Sequence, residues 1–187
     1  MRKNTFLALR SLALLVMCAV LPCNAVLASP DGKSHVHGTG SLDVVLDKDK
    51  VTIALELPLD VAVGFERAPK TDKEKTALIE ASLALNAAST LFILNPEAKC
   101  TGQATNIVLP ALEIRQHIAR QKSEPAEEHA DIEASYVFHC AHPAALKSLE
   151  TTLFKQFKRL YRLETQRAGP AGQGAVRLTP KQPILKW

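Results

Sequence analysis

The chain has 187 residues, with 23 lysines and arginines against 19 acids, six histidines and four cysteines. Three basic residues, Arg2, Lys3 and Arg10, stand in the first 28, so the other 159 residues carry 20 bases against 19 acids. That near-neutral balance lacks the electrostatic footprint of nucleic-acid binding, and the length suffices for one domain with a hydrophobic core.

The N-terminal stretch reads as a secretory signal. A basic start is followed by the apolar run SLALLVMCAVL (11–21) and the small-residue sequence VLA (26–28). The run is shorter than the about 20 residues of a membrane span. Cleavage is expected after Ala28, leaving residues 29–187 as a single periplasmic domain, and no later segment is apolar enough to span a bilayer.

Next comes HVHG (35–38), with His35 and His37 one residue apart. SLDVVLD (41–47) and VTIALEL (51–57) alternate apolar and polar around the polar turn KDK, which predicts a β-hairpin with one buried side. PLDVAVGFERAPK (58–70) contains proline and glycine without a period and reads as an unusually apolar loop. TDKE (71–74) fits a capping box, with Thr71 as N-cap and Glu74 at N3, and Ala77, Leu78, Ala81, Leu85 and Ala88 form the apolar stripe of a first helix. STLFIL (89–94) and the residues around Cys100 are expected to be strands, and the charged segment 113–128 a solvated loop.

HADIEASYVFHC (129–140) is the clearest strand. Ile132, Ala134, Tyr136, Phe138 and Cys140 share one face, while His129, Asp131, Glu133, Ser135 and His139 share the other. A second amphipathic helix is expected from Pro143, with Leu146, Leu149, Leu153, Phe157 and Leu160 as its stripe. A strand near 159–166, a turn at RAGPAGQG and an extended tail follow. The expected fold is α+β: a single domain with an antiparallel sheet and two amphipathic helices over one face.

Two cysteines lie in the signal, which leaves Cys100 and Cys140. In an oxidising compartment the simplest reading is one disulfide closing a loop of roughly 40 residues, worth about 4 kcal/mol of chain entropy. The functional alternatives are a nucleophile or a thiolate ligand. The chain has no G-x-S-x-G, H-E-x-x-H, C-x-x-C, P-loop or G-x-G-x-x-G motif, and it is expected to be non-enzymatic.

Metal binding has firmer support. Residues i and i+2 of an extended segment point the same way, about 7 Å apart. His35-Val36-His37 and His129-Ala130-Asp131 both have this spacing. Were the two segments neighbours, three imidazoles and one carboxylate would form a plausible tetrahedral zinc shell, although imidazole serves copper and nickel too. Glu66, an acid inside an apolar loop, reads either as an exposed turn acid or as a further ligand or partner of a ligand.

HVHG (35–38), LPLDVAVGFERAPKTDKEK (57–75), AKC (98–100) and HADIEASYVFHC (129–140), in this order, resemble the ZrgA-like family of periplasmic zinc-uptake proteins. The resemblance covers nearly the whole of residues 29–187. It implies a periplasmic zinc-binding protein that buffers zinc or delivers it to a metal importer. It picks out His35, His37, His129 and Asp131 as ligands, with Glu66 as a lesser candidate. The chain departs from the family pattern in having QKSEPAEEH where members often carry a His/Asp-rich run, and Arg67 where they tend to have histidine. The alternative is an envelope adaptor that binds another protein and no metal.

Overall fold

A computed structural model describes residues 36–109 and 131–187, and Ser34–Trp187 forms one compact unit. The expected hairpin is present as β1 (Thr39–Asp47) and β2 (Lys50–Pro58), paired antiparallel from Ser41↔Glu56 to Asp47↔Lys50. Alternation does its work here: Leu42, Val44, Leu46, Val51, Ile53, Leu55 and Leu57 all point into the core.

The segment expected to be an apolar loop contains a short helix, α1 (Leu59–Val63), between Pro58 at its N-cap and Gly64 in the left-handed conformation at its C-cap. Leu59 and Val61 are buried, which accounts for the apolar character. α2 (Asp72–Asn86) starts at the expected Thr71. Both halves of the capping box form, and Leu78, Ala81 and Leu85 face the core. One helical turn, α3 (Ala88–Leu91), takes the first half of the STLFIL segment, so only β3 (Phe92–Leu94) is strand.

β4 (Cys100–Val108) and β5 (Asp131–Cys140) pair antiparallel, with Cys100 directly opposite Cys140, and the two form a disulfide. Ile132, Ala134, Tyr136, Phe138 and Cys140 are buried as the alternation predicts. The Phe92 ring meets the Tyr136 ring edge-on at 4.9 Å between centroids.

The second amphipathic helix does not form. Pro143–Ala145 is a single 3₁₀ turn, Ser148–Thr151 is a strand (β6), and only Leu153–Gln156 is helical (α4). Leu146, Leu149, Leu153, Phe157 and Leu160 are buried as expected, but from different elements. Two causes are visible. The Asn95 side chain accepts from the N–H of Lys147 (2.7 Å) and of Ser148 (3.2 Å) and donates to the carbonyl of Ala145 (2.9 Å), occupying backbone groups that a helix would need. β6 also finds a strand on each side, β3 and β9 (Ile184–Lys186), in a separate three-stranded antiparallel sheet.

β7 (Arg162–Gly169) and β8 (Gly172–Leu178) complete the large sheet, whose order is β4-β5-β2-β1-β7-β8. The expectation of a purely antiparallel sheet is corrected at one place: β1 and β7 run parallel, in register from Thr39↔Arg162 to Val45↔Ala168. Their sequences could not show this, because alternation fixes which face is buried and not which strand is the neighbour. The fold is α+β and sheet-rich. Among the described residues, no helix is long and apolar enough to cross a membrane.

Candidate metal centre

One end of the large sheet gathers the residues of interest. β1 and β7 begin there, at Thr39 and Arg162. β2 ends there at Pro58, opposite Asp131, the first residue of β5. His37 lies in the turn just before β1, where the Thr39 N–H donates to the Val36 carbonyl at 3.0 Å. Gly38 makes the turn possible. Its φ is +76°, and a Cβ there would collide with the Tyr161 ring. Its carbonyl accepts from the N–H groups of Tyr161 (2.8 Å) and Arg162 (3.1 Å), so the turn is tied to the chain entering β7.

Asp60 faces His37 from the first turn of α1. It is held in place by its buried neighbours Leu59 and Val61 and by the Gly64 N–H, which donates to its backbone carbonyl at 2.8 Å. The His37 Nδ1 is 3.0 Å from Asp60 Oδ2. The imidazole is 84% exposed, whereas the Asp60 side chain is only 22% exposed. Asp60 Oδ1 is buried without a hydrogen-bond partner among the described residues. Glu66 is the third member: one ligand atom from each of His37, Asp60 and Glu66 lies within 4.8 Å of the others.

The loop carrying Glu66 is held on both sides. Gly64 has φ +88°, and a Cβ on it would lie 2.9 Å from the Arg159 guanidinium, which covers it. Beyond Glu66, Arg67 grips Glu74 with both terminal nitrogens, at 2.7 and 3.1 Å. Glu74 also accepts from the N–H groups of Lys70 (2.6 Å) and Thr71 (3.1 Å). The guanidinium beside it, then these backbone donors, hold the Glu74 carboxyl down at about 2.

The electrostatics favour positive charge at this spot. The hydrogen bond to Asp60, then the charge of Asp60, then that of Glu66 raise the His37 pKa above the ordinary 6.5. The field that holds a proton also attracts a metal cation. Once the proton between them is lost, Nδ1 regains its lone pair, and a metal can take the proton's place between the imidazole and the Asp60 carboxylate. One imidazole and two carboxylates are a donor set suited to a divalent transition ion. The partnerless Asp60 Oδ1 is an oxygen that such an ion would satisfy.

Of the sequence-derived candidates, His37 and Glu66 come together. Asp131 stands at the same end of the sheet, opposite Pro58, but is not part of the three-residue cluster. His35 and His129 lie outside the described residues. The sequence reading missed Asp60. The signal that could have found it is its place: Asp60 follows the end of β2 by two residues, His37 precedes the start of β1 by two, and the hairpin brings those ends together. Cys100 and Cys140 are in a disulfide, and so neither serves as a thiolate ligand.

A family model described as ZrgA family zinc uptake protein matches residues 34–187. No curated protein matches the chain.

Proposed function

Since the chain belongs to the ZrgA family of zinc uptake proteins, we propose that it is a non-enzymatic periplasmic zinc-binding protein that buffers the ion or delivers it to a metal importer. In this reading His37, Asp60 and Glu66 hold the ion. The observation that carries it is the convergence of one ligand atom from each of the three within 4.8 Å, with the other Asp60 oxygen buried and unpaired among the described residues. The periplasmic setting rests on the signal-like residues 1–28. The heavy exposure of His37 suits a site that must both load and release its cargo.

The test is calorimetric titration of metal-stripped residues 29–187 with zinc at neutral pH. A stoichiometry near one is expected. Asp60→Asn and His37→Ala are each expected to weaken binding about tenfold or more, as loss of a ligand does, with Asp131→Asn weakening it less. Heats equal to those of zinc diluted into buffer would overturn the zinc reading and leave the adaptor role. Full binding by both Asp60→Asn and His37→Ala would move the ion elsewhere.

A further inference from the structure

Arg67 touches neither His37 nor Asp60 in any hydrogen bond or ion pair described above, yet the loop that offers Glu66 is folded around it. Its guanidinium lies over the Phe65 ring, 5.4 Å from the centroid. It donates to the carbonyl of Ala68 at 3.1 Å. It closes a two-pronged bond onto Glu74, in the first turn of α2. Glu66 sits between Phe65 and Arg67, so its neighbours on both sides are fixed by one side chain. The anchor is firm, because α2 is bound to the core through Leu78, Ala81 and Leu85. A planar five-donor fork is suited to this task, whereas a lysine would supply charge without the geometry.

We infer that Arg67 is a positioning residue of the metal site: by gripping Glu74 and covering Phe65 it holds Glu66 within reach of His37 and Asp60. The inference rests on the reading of those three residues as zinc ligands. It has a sign that separates it from a charge effect. A cation one residue from a ligand repels a bound cation, so through-space electrostatics alone would make zinc bind more tightly when Arg67 is neutralised. Positioning makes it bind more weakly.

The experiment measures zinc affinity, by competition with a chromophoric chelator, for residues 29–187 of the wild type, Arg67→Gln, Arg67→Lys, Glu66→Gln and the Arg67→Gln/Glu66→Gln pair. Circular dichroism confirms that each is folded. Arg67→Gln is expected to weaken binding about tenfold, the usual scale for residues that orient a ligand. Arg67→Lys, which keeps the charge and loses the fork, is expected to weaken it too. In the Glu66→Gln background, removing Arg67 is expected to add no further loss, since its effect runs through Glu66. Unchanged or tighter binding by Arg67→Gln overturns the inference. So does an equal further loss in the Glu66→Gln background, which would mark a general effect on the fold. A wild type that binds no zinc overturns the reading of the site itself, and is recognised before any variant is compared.

Discussion

Asp60 gives one oxygen to His37 and keeps the other out of water with no donor to meet it among the described residues. Leaving a buried polar group unpaired costs about 1–3 kcal/mol, more when it is charged, and a bound cation offsets that cost. In the proposed site the same carboxylate would make zinc compete with a proton. Asp60 and Glu66 raise the His37 pKa, so the imidazole stays protonated to a pH above the ordinary 6.5. A ligating imidazole must be neutral, and zinc affinity is therefore expected to fall as pH is lowered through that raised value. Titrations in steps between pH 8 and 5.5 measure this. In Asp60→Asn the fall should begin at lower pH, because the main cause of the shift is gone. At this scale the sequence was legible in part. His37 announced itself through the HVH spacing, and Glu66 as an acid in an apolar loop. Asp60 lies in the segment read as an apolar loop, and its partner comes from the turn before β1, outside the paired residues of the hairpin.

Elements were legible where a pattern has one physical solution. Strict alternation at 51–57 and 132–140 can bury only one face, and both segments are strands. Thr71 and Glu74 satisfy each other's backbone donors, and α2 begins there. The stretch after Pro143 had two solutions, since leucines at 146, 149, 153 and 160 can be buried by a helix or by short pieces. A side chain about 50 residues away helps decide the matter: Asn95 bonds three backbone groups of the segment. Each such bond contributes about 0.5–1.5 kcal/mol net, so Asn95→Ala is expected to lower stability by about 2–3 kcal/mol. Urea unfolding checks this. A midpoint equal to the wild type would mean that β6 is held by β3 and β9 alone.

For the molecule as a whole, strand order was the illegible part, since a strand's own residues say little about its neighbours. The disulfide was legible from the two cysteines that remain after the signal-like residues 1–28. It also lies far from the end of the sheet that bears the proposed site: β5 runs from Asp131 to Cys140, and ten residues of strand span roughly 30 Å. Replacing both cysteines by serine is expected to cost about 4 kcal/mol of unfolding free energy, the entropy of a 40-residue loop, while zinc affinity of the folded protein stays the same. Urea unfolding and a zinc titration on one sample test both halves; a large loss of affinity would show that the two ends are coupled. The central place of β1 has a consequence for how the chain is made. β1 is synthesised early, but one of its two edges is filled by β7, and the turn bearing His37 is pinned by Tyr161 and Arg162. A nascent chain that stops short of Tyr161 has the histidine, both acids and the local Thr39–Val36 bond, but lacks the two bonds to the Gly38 carbonyl that tie the turn to β7. In the zinc-binding reading, metal capture is expected to wait until Tyr161 and Arg162 have been made.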